Sequence, residues 1–312
     1  MSNSIPSQYI LQYNTETRLA YQFAGGKLSP VIQTGQHQGE GAAPADYVSP
    51  TTANLNPGRL APTPSNNASV QRRWVYPNFF DHAFQIAKQD VTRVFNGGAL
   101  QSKYAENQGK AMARLRDDMI LASMFAPAVT GKNGASTTNF SSGQQIAANY
   151  GASANTGLTA TKLIHGKQLL QASGVDIESA KLYCVISSLD HEFLLKQIEI
   201  RSKEFNDKAV LVDGFVSQWL GIRFIHMEFT DTTQYPISSG SAVPAGYSAL
   251  VNGGTRYIPL FDGESMYWGN WRDTTVEFGI RADLSNATQM YATAEGGATR
   301  LQEGGITQLA CV

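Results

Sequence analysis

Residues 100–125 read LQSKYAENQGKAMARLRDDMILASMF. Leu100, Tyr104, Ala111, Leu115, Met119 and Ala122 recur at intervals of three, four or seven, which sets them on one stripe of an α-helix. Gly97-Gly98 breaks the pattern upstream and Pro127 closes it downstream. At 1.5 Å per residue such a helix is about 40 Å long, beyond the usual globular length. Upstream of it, Asp81 is placed to cap a second helix through Ala83, Ile86, Ala87, Val91, Val94 and Phe95. Before that, Arg72-Arg73-Trp74-Val75-Tyr76-Pro77 reads as a strand leading out of a long loop. Residues 30–71 hold six of the twelve prolines (Pro30, Pro44, Pro50, Pro57, Pro62 and Pro64) but only three charges, Glu40, Asp46 and Arg59. A structureless connection of that length is either functional or disordered. Scarce charge and no repetition argue against a solvated linker. A projecting loop or long hairpin that lies on a partner accounts for both features. Residues 1–30 carry Tyr9, Tyr13, Tyr21 and Phe23 without a sustained period and read as an extended arm.

Downstream of the long helix, residues 130–157 are rich in Gly, Ser, Thr and Asn, with a hairpin expected around Gly143. An α/β alternation follows. A helix is expected from Thr159 to Ser173, ended by Gly174, and then a strand over Lys181 to Ile186. Ser187 and Asp190 are spaced as a capping box for the next helix. Short strands over 209–212 and 221–229 precede a mostly β tail with strands near 249–251, 257–261, 274–280, 288–294 and 306–312. The class is mixed α+β.

The 312 residues carry 24 Lys and Arg against 25 Asp and Glu, a net charge of −1, and only 16% are charged. An ordinary globular domain carries about 25% charged residues. With 14 Phe, 13 Tyr and 4 Trp the chain can build a core, which excludes wholesale disorder. The charge balance excludes a uniformly basic nucleic-acid binder. Undercharged surface rich in small polar residues suits a subunit of an assembly. Cys184 and Cys311 form no CxxC pair, so neither a disulfide framework nor a cysteine zinc site is expected. The N-terminus has no apolar h-region and no stretch is long enough to cross a bilayer, so synthesis in the cytoplasm is the default expectation.

Motifs of catalysis break at named residues. His191-Glu192-Phe193-Leu194-Leu195 opens like a zinc-protease helix, but Leu195 stands where the second histidine of HExxH belongs. The three Gly-Lys pairs lack the Ser or Thr of a P-loop, and no GxSxG or GxGxxG occurs. Asp117 and Asp118 are adjacent on a helix and diverge by about 100°, so they make no carboxylate pair by themselves. No enzyme activity, cofactor or metal is expected. From Arg72 to Arg116 there are eight basic residues against three acidic ones, a local excess of +5.

The order of parts (arm, Pro-rich loop, long helix, α/β region, β return) resembles the major capsid proteins of tailed bacteriophages with the HK97 fold. The stretches that carry the resemblance are 72–94, 100–125 and the tail 289–312, with Tyr291-Ala292-Thr293-Ala294-Glu295-Gly296-Gly297-Ala298-Thr299-Arg300 followed by Gly305-Ile306-Thr307. The resemblance implies an N-terminal arm over 1–30 and an extended E-loop over 31–78. It implies a peripheral domain over 79–157 and 284–312 with the long helix as its spine, and an axial domain over 158–283. It implies a structural protein that self-assembles, as hexamers and pentamers, into an icosahedral shell enclosing double-stranded DNA without sequence specificity. A portal protein and a separate scaffolding protein are the further partners it implies, with no membrane; the location is the virion capsid, assembled in the host cytoplasm. Two departures matter. The charge-rich scaffolding segment that begins some relatives is not seen before the arm, and no lysine lies between Lys27 and Lys88, so lysine cross-linking from the loop is not expected.

Arg59, Arg72, Arg73, Trp74, Lys103, Lys110 and Arg114 are the candidates for subunit contact or for facing the genome. Trp74, Tyr76, Phe79 and Phe80 are expected to anchor the loop base on the spine helix. Two alternatives stand beside the capsid reading. One is an encapsulin-like compartment of the same fold; the other is a hydrolase that brings Asp213, His226 or Asp262 together by folding.

Overall fold

A computed structural model of the chain describes residues 25–55, 58–59, 62, 65–87, 97–201, 211–212, 215–228 and 249–312. The expected arm over 1–24, the region 88–96 and Asp213 lie outside the described residues. The strands are β1 (Gln33–Gln36), β2 (Asp46–Val48), β3 (Val70–Trp74), β4 (Asn78–Ile86), β5 (Ala128–Thr130), β6 (Ser136–Thr138), β7 (Gln145–Ile146) and β8 (Leu182–Ile186), then β9 (Leu211–Val212), β10 (Phe215–Val216), β11 (Gln218–Trp219), β12 (Ile222–His226), β13 (Val251–Asn252), β14 (Thr255–Asp262), β15 (Met266–Arg281), β16 (Ala287–Arg300) and β17 (Ile306–Cys311). The main helices are α1 (Gly97–Met124), α2 (Ala160–Ala172) and α3 (Ser188–Leu195). Two compact units emerge, one holding Asn78–Asp117 and Trp271–Gly296, the other Lys27–Pro77, Asp118–Asn270 and Gly297–Val312.

In the first unit, β4 pairs antiparallel with β16 over nine residues, from Asn78 opposite Gly296 to Ile86 opposite Thr288. This corrects the helix expected from Asp81. Exposure alternates along β4, with Phe80 and Ile86 buried and Phe79 exposed, which is the period of a strand. Long-range pairing with β16 outweighs the helical spacing of Ala83 and Ile86. The inward face of β4 meets α1, where the Phe84 and Tyr104 rings lie 5.2 Å apart. Gln108, buried on α1, donates to the carbonyls of Met290 at 2.9 Å and His82 at 3.3 Å. Helix α1 runs 28 residues, about 42 Å at 1.5 Å per residue, and includes the Gly97-Gly98 pair expected to break it. Gly25 lies against its backbone: a Cβ there would come within 2.5 Å of the Arg114 nitrogen, and φ is +72°. Only glycine fits that approach.

The second unit is built on a sheet ordered β11-β12-β8-β14-β17-β7, with β13 paired to β14. All five residues of β8 (LYCVI) are buried, as a continuous apolar run in a central strand requires. Helix α2 packs on this sheet through Leu163 and Leu170, and Gly166 lets Leu260, Leu309 and Ile146 close on its backbone. Thr159 caps α2 by accepting from the Lys162 N–H, and Ser187 and Asp190 form the expected capping box on α3. Asp190 is buried and also accepts from Arg256 of β14 at 2.9 Å. Lys162, fully buried, donates to the carbonyls of Thr156, Gly157 and Ala310 at 2.8, 3.1 and 2.9 Å, fixing α2 to β17. Burial also pushes the Cys311 thiol up to about 12. Strand β17 thus shares its sheet with β8 and β14. The expected hairpin around Gly143 is instead β5–β6, turning over 131–135; residues 142–144 form a single 3₁₀ turn.

A second small sheet, β2-β3-β5-β6, is tied to the end of α1 by Arg300. This side chain is fully buried and donates to the carbonyls of Met124 and Ala126 at 2.8 Å each, to Thr138 at 3.3 Å, and to Glu303 at 2.8 Å. Glu303 also pairs with buried Arg73 of β3 at 3.1 Å, and Arg73 Nε donates to the Leu301 carbonyl at 3.0 Å. Removing one member of a buried ionic set leaves the others uncompensated, at about 3–5 kcal/mol. Arg300→Ala should therefore lower subunit stability by about that amount in urea unfolding, and Arg300→Lys should recover little, because an ammonium cannot make the fork to the carbonyls at the helix end and a carboxylate.

Candidate subunit-contact surfaces

Strands β2 and β3 pair antiparallel from Asp46 opposite Arg72 to Val48 opposite Val70. Beyond them the two arms stay bound by polar side chains. Ser49 N–H donates to the Ser69 carbonyl at 2.8 Å, Ser69 N–H to Ser49 Oγ at 3.0 Å, and Asn54 Nδ2 to Asn66 Oδ1 at 3.0 Å; Asn66 Nδ2 also reaches the Thr52 carbonyl. The described segments 49–55 and 65–69 thus form the stitched arms of a hairpin extension, and nearly all their residues are exposed. Leu55 is 95% exposed, Val48 64% and Val70 63%, the values of side chains that no described residue of their own chain covers. Arg59, the sole charged residue of 49–69, is exposed there.

The structure disperses the other candidates. Arg72 makes a two-pronged bond to Asp46, 2.6 and 2.7 Å, and this holds the Asp46 carboxyl below its usual range. Arg73 is buried in the Arg300 network and is no surface group. Trp74 is half-buried and donates from Nε1 to the Gly131 carbonyl at 2.8 Å; the Tyr76 hydroxyl and the Trp74 ring both crowd Gly134. The partner of Trp74 and Tyr76 is therefore the β5–β6 turn. Tyr76 and Phe79 are exposed and Phe80 alone of the four is buried. On α1, Lys103 and Lys110 both bond Glu106, at 3.1 and 3.0 Å. Lys110 and Lys103 together hold the Glu106 carboxyl below its usual range. Arg114, half-buried, follows one turn beyond Lys110 on the same helix. Residue types and spacing gave no sign that Arg300, Glu303 and Lys162 tie the unit together, because most of their partners lie more than a hundred residues away.

Among the described residues, the alternatives His226 and Asp262 are not brought together. His226 stands opposite Ile186 and Asp262 opposite Leu182, at the two ends of β8 and on its two flanking strands. At about 3.3 Å per residue they are more than 10 Å apart. Asp262 borders a cavity of about 850 Å³ with Lys181, Tyr183, Glu264 and Tyr47, and burial, then the Glu264 charge, raises its pKa. No group of three metal-ligating side chains occurs among the described residues. His191 and His226 instead clasp one residue. Val216 N–H donates to His191 Nε2 at 3.3 Å, and His226 Nε2 meets the Val216 carbonyl at 3.2 Å, with the imidazoles 4.9 Å apart. Burial lowers both pKa values, and the charges of His191 and Lys27 lower that of His226 further.

The folded chain therefore holds these protons less tightly than the unfolded chain, where histidine titrates near about 6.5. Their contribution to stability is complete above that pH and is lost as pH falls below it. Urea midpoints measured at pH 7.5 and 5.5 should differ more in the wild-type chain than in the double variant His191→Gln/His226→Gln.

The comparisons with known proteins agree with a shell subunit. The structure superposes on the capsid of the cyanophage P-SCSP1u with a TM-score of 0.70 at 16% identity, covering 98% of this chain and 94% of that one. It superposes on the acid-stable capsid of Helicobacter pylori bacteriophage KHP30 with a TM-score of 0.67 at 10% identity, covering 100% and 98%. For the capsid of cyanophage Pam1 the TM-score is 0.66 at 11% identity, covering 96% and 95%. At these identities the likeness is one of fold. No curated protein sequence matches the chain. The family model described as phage capsid protein matches residues 5–312, which decides for a phage shell over a cellular compartment or a hydrolase. The chain therefore belongs to the phage capsid protein family, as a non-enzymatic major capsid protein of the virion.

Proposed function

We propose that this major capsid protein holds its shell together without covalent cross-links, through the hairpin 49–69 laid on a neighbouring subunit. The observation that supports this most is the combination of a stitched backbone with bare Val48, Leu55 and Val70. A hairpin with so little apolar surface of its own is marginal in water unless something covers it. In this reading 31–78 is the E-loop, 1–30 the arm, α1 the spine of the peripheral domain, and the sheet around β8 the core of the axial domain, with β17 included. Hexamers and pentamers would close an icosahedral shell around double-stranded DNA, with a portal protein and a separate scaffolding protein as partners.

A basic face on α1 supports a second element of the reading. Lys103, Lys110 and Arg114 outnumber Glu106, and a surface of that kind attracts phosphate without reading sequence, more weakly as salt rises. The contact would be loose, as suits a genome that must slide along the wall.

Two experiments check these proposals. Replacing 50–68 by a short Gly-Ser bridge keeps β2, β3 and the Arg300 network, so the subunit should stay folded by circular dichroism but make no shells in electron micrographs; normal shells would overturn the hairpin's role. Changing Lys103, Lys110 and Arg114 together to Gln should leave empty shells intact and alter the salt dependence of filled-particle stability. Failure of empty shells to form would make these residues assembly contacts.

A further inference from the structure

Strand β15 extends from Met266 to Arg281, but β1 pairs only with its segment Tyr267–Asn270. From 274 onward one edge is bonded to β16, and the other faces no strand among the described residues. Every residue from 272 to 280 is exposed. Thr275 and Thr293 meet through their hydroxyls at 3.0 Å, so they share one face of the sheet. By alternation Val276, Phe278 and Ile280 lie on the other face, the one on which Met290 and Ala292 are fully buried. The three side chains are nonetheless 36%, 60% and 75% exposed. An open backbone edge with an apolar face is a template for another strand. Residues 274–281 (TTVEFGIR) contain neither proline nor lysine, and their two charges, Glu277 and Arg281, are opposite in sign.

We propose that this edge pairs antiparallel with the same edge of a second copy, around a twofold axis at Gly279. The register is chosen by charge. Centred on Glu277, two copies would set Glu277 against itself. Centred on Phe278, Glu277 would face glycine and Arg281 threonine. Centred on Gly279, Glu277 of each copy faces Arg281 of the other and Phe278 faces Ile280, each contact occurring twice. Arg281 is already oriented for this by Asp283, at 2.7 and 2.5 Å, and by Gln289 at 3.1 Å. The pairing joins the β15-β16-β4 sheets of two subunits into one and covers the apolar stripe.

The geometry supplies its own probe. A Cβ at Gly279 meets nothing within 4 Å, and its φ is not in the left-handed range. Facing Cα atoms in an antiparallel pair stand about 4.5–5.5 Å apart, within the span of a disulfide. In Gly279→Cys shells, mild oxidation should link more than half of the subunits as dimers on a non-reducing gel, while Thr275→Cys shells should give none. Cys184 and Cys311 are buried and stay silent. Adding Phe278→Lys to Gly279→Cys should cut the cross-linking rate at least tenfold. In the wild-type protein, amides of 277–281 should exchange at least tenfold more slowly in shells than in free subunits. The proposal rests on shell assembly, which micrographs of the same samples verify separately. Intact shells without the cross-link, or unchanged exchange in wild-type shells, would overturn the pairing and leave the capsid assignment untouched.

Discussion

Arg300 makes the contact on which the second unit depends. The last carbonyls of a long helix have no partners within the helix, and here the helix end is buried, where water cannot serve them. A guanidinium has donors enough to satisfy Met124 and Ala126 and still bind Glu303 and Thr138. Its positive charge also suits the negative end of the helix dipole. The same carboxylate takes Arg73 from β3, so one acidic side chain links the base of the hairpin, the end of α1 and the strand β16. The Phe140 ring, 5.2 Å from the guanidinium carbon, closes the site from another side.

That network explains how a long exposed hairpin can be held at a defined base without a core of its own. The hairpin's arms are joined by serine and asparagine side chains and by backbone bonds. Such bonds fix geometry but bring little net stability in water, about 0.5–1.5 kcal/mol each. Direction therefore comes from the base, where buried Arg73 sits one residue from the exposed Arg72–Asp46 pair on the same strand.

Local signals were legible where a short stretch of chain suffices. The heptad-like stripe of α1, the apolar run of β8 and the Ser187–Asp190 capping box each lie within one element, and each forms as the residues suggest. The helix expected from Asp81 did not form, because the nine-residue ladder with β16 comes from more than two hundred positions away. The sheet partners of β17, β14 and β7, are set by tertiary pairing and were not legible in the local sequence either. Among the candidate contact residues, charge type was visible and burial was not. Arg72 and Arg73 are neighbours in sequence, yet the alternation of β3 puts one in water and the other in the core. Composition did carry the hairpin, since a proline-rich stretch with few charges announces surface that something else must cover.

The position of β17 between β14 and β7 has a consequence in time as well as in space. A ribosome releases β7, β8 and β14 well before residues 306–311, so the nascent sheet lacks an interior strand and the Lys162 ammonium lacks its Ala310 carbonyl. Fast local steps such as α2 and α3 can finish early, but closure of this sheet waits for contacts of the longest sequence separation.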